Sequence, residues 1–135
     1  MLHLSHTIGN LMKLNLSALS LILLTAPVLA DEVEILWNQA GRFQHEGNIK
    51  AGGILEVCGK LPAALSVDWS FESAAALESN IHYHEGKKVI FPAKHAAATA
   101  VKDSLTTKLA QEYCWMWSNR TPQAVQIKLE LAKLK

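Results

Sequence analysis

Two short segments carry the residues with most chemical scope. Asn80-Ile81-His82-Tyr83-His84-Glu85-Gly86 holds two imidazoles two positions apart, and Tyr113-Cys114-Trp115-Met116-Trp117 holds a thiol and a thioether at the same spacing. Successive side chains of a strand point to opposite faces. If Ile81 and Tyr83 face a core, then Asn80, His82 and His84 share the other face. If Tyr113, Trp115 and Trp117 face inward, Cys114 and Met116 share an outward one. Imidazole, thiolate and thioether are the ligand types of a copper site. One reading is therefore a copper- or zinc-binding protein using His82, His84, Met116 and, if reduced, Cys114. The other needs no cofactor: Asn80, His82, His84 and Glu85 form an exposed patch that meets a protein or other envelope ligand.

The redox state of Cys114 bears on that choice, and the start of the chain bears on the redox state. Lys13 precedes an apolar stretch, Leu14 to Ala30, that ends Pro27-Val28-Leu29-Ala30 before Asp31-Glu32. A positive start, an apolar centre and a small-residue ending make a secretory signal cleaved after Ala30. Pro27 sits badly in a membrane-spanning helix, and a span needs roughly 20 apolar residues. Met12-Lys13 is itself a possible signal start, so His3 and His6 enter no site. The expected organisation is a signal peptide over 1–30 and one domain over 31–135, periplasmic or secreted, with no membrane span after cleavage. In such a compartment the two cysteines, Cys58 and Cys114, form a disulfide by default. Closing a loop of that length stabilises the fold by about 4 kcal/mol on a chain-entropy argument.

Charge excludes one class of partner. All 12 acidic residues lie beyond Ala30, and Lys13 is the single basic residue before it. The remaining chain is balanced and has no basic tract to follow a phosphate backbone, so no nucleic acid is expected. Enzyme signatures are also missing: there is no G-x-S-x-G, G-x-G-x-x-G, P-loop or H-E-x-x-H. Asp68 and Glu72 share a strand face but stand four residues apart along it, too far for an acid/base pair. A non-enzymatic protein is the expectation.

The elements that must position these residues read as short strands. Val33 to Phe43 fits helix and strand equally. Ile54 to Cys58 follows Gly52-Gly53, and Leu65 to Glu72 alternates with Leu65, Val67, Trp69 and Phe71 on one face. Ile81 to His84 leads through a Glu85-Gly86-Lys87 hairpin turn into Lys88 to Phe91, where Pro92 is expected to end the strand. Ala96 to Ala100 reads as a helical turn or loop, and His45 and His95 are assigned to loops. Ser104 to Leu109, Glu112 to Ser118 and Ala124 to Leu131 complete about seven short strands, the pattern of an antiparallel β-sandwich. Trp115 and Trp117 belong in its core with Trp69 and Phe71, the alternative being an exposed aromatic platform. Asn119-Arg120-Thr121 matches a glycosylation sequon, but Asn119 fits better as the cap of a turn.

Three segments together resemble the GOLD (Golgi-dynamics) domain family: Trp69-Ser70-Phe71, Asn80 to Gly86, and Tyr113 to Asn119. The likeness covers roughly Gly52 to Leu131 and is nearer to small exported bacterial GOLD-like proteins than to the secretory cargo receptors. It implies a β-sandwich and a binding role. One departure stands out, because Met116 occupies the position of the receptors' Cys and Cys114 lies two residues earlier. A shift of two keeps the strand face, so a bridge to Cys58 stays open without being implied by the family. A shared fold does not carry function with it, so the receptors' trafficking role, which goes with a coiled coil and a membrane anchor, is not expected here.

Overall fold

The computed structural model describes residues 22–24 and 30–135. The signal-peptide reading therefore lies outside the described residues except for Ile22-Leu23-Leu24, which have no regular secondary structure, and Ala30, which opens the first strand. Among the described residues there is no helix, and none long and apolar enough to cross a membrane.

Seven strands follow one another: β1 (Ala30–Glu34), β2 (Arg42–Ile49), β3 (Ile54–Leu61), β4 (Ser66–Glu85), β5 (Lys88–Thr106), β6 (Gln111–Ser118) and β7 (Val125–Lys133). The expected β-sandwich is present, with two differences in detail. The strands are not all short: the segments Leu65–Glu72 and Ile81–His84 are two ends of one 20-residue strand, β4. Nor are all pairs antiparallel, since β1 runs parallel to β3, with Val33 opposite Val57. The ambiguous stretch from Val33 thus opens as strand and then becomes loop up to Arg42.

β4 joins the two layers. Its first half, Val67 to Ser73, pairs with β7, which pairs with β2. Its second half, Glu78 to His82, pairs with β6, which pairs with β3 and through it β1. The strand turns from one layer to the other between Glu72 and Leu77, where β5 moves only from Ala100 to Ala98. The extra β4 residues form a bulge, the usual device for bending a strand. Ser73 Oγ donates to the Ala75 carbonyl at 2.7 Å inside it. β5 follows β4 along its whole length, so the sheet is nearly closed.

Pro92 does not stop β5. Among the described residues β5 pairs only with β4, and a proline is tolerated on an edge strand or at a bulge. Pro92 has both conditions, because the register shifts between Ile81 and Tyr83 on the facing strand. The Ala96–Ala100 segment is strand too, and the loops assigned to His45 and His95 are β2 and β5. The β4–β5 turn is as expected, with Gly86 at a φ of 59° that a side chain would disfavour.

The core is the aromatic one. Trp115 and Trp117 are fully buried, with Trp69, Phe71, Tyr113, Ile127, Leu129 and Leu131, and the Phe71 and Trp117 rings meet edge-on at 5.7 Å. The exposed-platform alternative for the two tryptophans is thereby excluded. Asn119 is buried and caps the entry to β7: its amide donates to the carbonyls of Ile49, Lys50 and Gln123, and its oxygen accepts from Thr121. A side chain so engaged has no room for a glycan.

Candidate functional site

The outward positions of β3, β6 and β4 line up in rows. Glu56, Met116 and Asn80 make one row, and Cys58, Cys114 and His82 the next. The strand adjacency on which a shared His and sulfur face depends is therefore present. What occupies it differs from the thiolate reading. Cys58 and Cys114 stand directly opposite each other and are joined by a disulfide spanning 56 residues. Cys114 has no free thiolate to offer, and no free cysteine occurs among the described residues.

His82 is not part of an exposed patch: it is only 5 % exposed although it lies on the outward face of β4. Its neighbours explain this. The bridged Cys114 stands across from it on β6, and Phe91 of β5 covers it with ring centres 5.9 Å apart. Its Nδ1 is 2.9 Å from Asn80 Oδ1, and its Nε2 is 3.7 Å from Glu56 Oε1. Burial holds the imidazole below its ordinary value of 6.5; Glu56 pulls it up and His84 pushes it further down.

His84 stands two residues nearer the hairpin turn, on the side of His82 away from the Glu56 row, with ring centres 5.4 Å apart. His84 and Glu85 are exposed, and Asn80 and Met116 are half-buried. Around the same tip Val89 and Phe91 are 42 % and 41 % exposed, and Lys94 Nζ lies 4.2 Å above the Phe91 ring. The sequence-proposed residues thus run along one face from the Glu56 row to the hairpin tip. His82 and Met116 lie beside Glu56, and Asn80 lies beyond Met116; His84 and Glu85 belong to the hairpin tip with Val89, while Phe91 covers His82 and Lys94 stands opposite Asn80.

Sequence reasoning missed Glu56. Alternation along Ile54 to Cys58 puts Glu56 on the face of Cys58, and a Cys58–Cys114 bridge would have carried that face to His82. It missed His95 and Asp103 as well. They lie eight residues apart on β5, on either side of the bend, with His95 Nε2 3.3 Å from Asp103 Oδ2, close enough for an ion pair but not aligned as a hydrogen bond. The His95 ring meets Trp69 edge-on at 5.3 Å. The His95–Asp103 contact clasps β5 across its bend. Nearby, a cleft of about 390 Å³ is lined by Tyr83, Pro92, Leu105 and Tyr113 among others. Ser104 beside the clasp donates its hydroxyl to Asp68, so it is paired with a carboxylate rather than with an imidazole. Asp68 and Glu72 make no contact with each other.

The class of protein is now defined: a seven-stranded all-β sandwich, mixed in strand direction and nearly closed through one bent hairpin. Among solved structures it is similar to PliG of Aeromonas hydrophila, a periplasmic lysozyme inhibitor of g-type lysozyme, with a TM-score of 0.64 and 10 % identity over 78 % of this chain and 97 % of that one. PliG of Salmonella Typhimurium, also a periplasmic inhibitor of g-type lysozyme, gives a TM-score of 0.59 at 10 % identity over 77 % and 98 % of the two chains. The pre-peptidase C-terminal domain of Bacillus anthracis collagenase gives 0.57 at 12 % identity, over 79 % and 98 %. At these identities the likeness is one of fold. No family model matches the chain and no curated protein matches it, so the resemblance to GOLD domains rests on its three motifs alone.

Proposed function

We propose that the chain is an exported, non-enzymatic binding module that recognises a protein of the cell envelope through the tip of the β4–β5 hairpin. The observation that carries this reading is the composition of that tip. Two large apolar side chains, Val89 and Phe91, are held partly open to solvent beside His84, Glu85 and Lys94. An exposed aromatic ringed by polar groups is the usual make-up of a binding hot spot. The outer edge of β5 adds backbone groups that β4 does not use, and such edges accept a further strand. His82 and Asn80 then act beneath the surface, fixing the floor on which Phe91 rests. Export follows from the signal reading, and the GOLD-like motifs point to binding rather than catalysis. Two of the similar folds belong to proteins described as inhibitors of g-type lysozyme, which makes that enzyme the first defined probe.

The test pairs site-specific cross-linking in the native envelope with a Phe91→Asp variant and a control variant on the far layer, Gln126→Asp. The expected result is a discrete adduct formed by wild type and the control and lost from Phe91→Asp. Purified g-type lysozyme is titrated in parallel to ask whether it is the partner. An adduct that survives Phe91→Asp unchanged removes the hairpin tip from the reading.

A further inference from the structure

The side of His82 that faces Glu56 presents an arrangement that supporting Phe91 does not account for. The Asn80 carboxamide oxygen only accepts hydrogen bonds, so the ring nitrogen 2.9 Å from it, Nδ1, carries the hydrogen. Nε2 is then left with a lone pair, and it faces Glu56 Oε1 at 3.7 Å. Two acceptors look at each other across a gap too wide for a direct hydrogen bond, which closes at roughly 3.2 Å or less. The imidazole is 6 % exposed and the Glu56 carboxylate 24 %. Among the described residues no Lys or Arg forms an ion pair with Glu56.

A metal ion fits that gap. Tetrahedral ligands at about 2.0–2.1 Å for nitrogen and 2.0–2.2 Å for oxygen stand roughly 3.4 Å apart, so a small turn of the carboxylate brings both onto one ion. Met116 lies in the row between Glu56 and Asn80 on the same face, and a thioether beside imidazole and carboxylate favours copper among the divalent ions. The Asn80 contact is the outer support that orients a ligating imidazole and fixes its tautomer. We propose that His82 Nε2, Glu56 and Met116 form a site for a divalent late transition-metal ion, copper(II) or zinc(II), over the Cys58–Cys114 bridge. The bridge supplies no ligand; it holds β3 and β6 in the register that brings Glu56 to His82. His84, on the other side of His82, is not a ligand. The site lies beneath Phe91 of the hairpin tip, and its test reads metal alone, without a protein partner.

The experiment is calorimetric titration of the purified, oxidised protein with Cu²⁺ and with Zn²⁺, using Mg²⁺ as a hard-ion control and circular dichroism to verify folding of each variant. One equivalent of Cu²⁺ or Zn²⁺ is expected to bind, with Mg²⁺ excluded. Glu56→Gln, at a partly exposed position, is expected to weaken binding at least tenfold on the order seen for ligand loss, and Asn80→Ala about 10- to 100-fold through loss of the outer support. His84→Ala leaves affinity unchanged. In the metal-free protein, long-range ¹⁵N–¹H spectra should show His82 protonated on Nδ1, with the Nε2 resonance displaced when Zn²⁺ is added. Absence of uptake, uptake that Glu56→Gln leaves intact, or a hydrogen found on Nε2 overturns the proposal.

Discussion

The two halves of β4 carry the same alternation and come to different ends. In the first half Val67, Trp69 and Phe71 are buried, and Asp68, Ser70 and Glu72 point outward. Their cross-strand neighbours on that face include Ser104, Lys102, Glu130 and Lys128, and the face is solvated. In the second half Leu77, Ser79 and Ile81 are buried, and Glu78, Asn80, His82 and His84 point outward. There the neighbours are Met116 and the bridged Cys114, with Phe91 above, and the outward-facing His82 is as buried as a core residue. Alternation decides which way a side chain points. Whether it is buried is decided by the side chains across the strand. A polar residue that small, apolar neighbours cover must then find partners within the face, as His82 does in Asn80 and Glu56.

The bridge is the largest lever on this contrast. Replacing both cysteines by serine removes a 56-residue closure and is expected to cost about 4 kcal/mol of stability in the chain-entropy treatment. Denaturant unfolding of the double variant against the oxidised protein measures it. A loss below about 1 kcal/mol would mean that β3 and β6 hold together through the Val57, Trp115 and Leu55 packing without help from the bridge.

A sharper comparison sets one outward residue of each half against the other. Asn80→Ala leaves the buried His82 Nδ1–H without an acceptor, for which the expected cost is about 1–3 kcal/mol. Ser70→Ala, at a half-buried outward position on the same strand with solvated neighbours, is expected to change stability by no more than about 0.5 kcal/mol. Equal costs would show that the two faces differ in shape but not in energetics.

These two halves were unequally legible in the sequence. Leu65 to Phe71 and Val125 to Leu131 alternate so regularly that both strands and their inward faces could be read directly, and the aromatic core followed from them. The continuity of β4 and β5 could not. Ser73 to Ala76 carries small residues that give no periodic signal through the bend, and Ala96 to Ala100 is equally silent because alanine suits either face. Pro92 read as a stop because nothing local reveals that β5 is an edge strand opposite a register shift. The outward face of Asn80, His82 and His84 and that of Cys114 and Met116 were each legible from alternation, but not that the two strands are neighbours. The burial of His82 and the approach of Glu56 were not legible either, since both depend on strand order, which a single sequence does not spell out. The parallel placement of β1 is likewise a tertiary choice, made by Val33 and Ile35 docking on β3.

The smallest expected effect separates the halves by pH. Under the second half Tyr113 is buried, donates its hydroxyl to the Leu109 carbonyl at 2.8 Å and meets Tyr83 edge-on at 5.2 Å. Burial raises its ionisation above the ordinary 10.0, against a lowering by the Leu109 contact and with a further rise from Tyr83. The inward aromatic residues of the first half, Trp69 and Phe71, do not titrate. Because the folded value is raised, the unfolded chain loses the proton first as pH rises. The contribution of Tyr113 is therefore fully present below pH 10.0 and is lost as pH climbs through the folded value. Tyr113→Phe should lower stability at neutral pH by about 1 kcal/mol, for the lost hydrogen bond, and should then decline less steeply than wild type in alkali. Denaturant midpoints taken across that range measure the two slopes. Parallel slopes would place the alkaline sensitivity elsewhere and leave the inward sides of the two halves alike, so that the contrast within β4 would belong to its outer face alone.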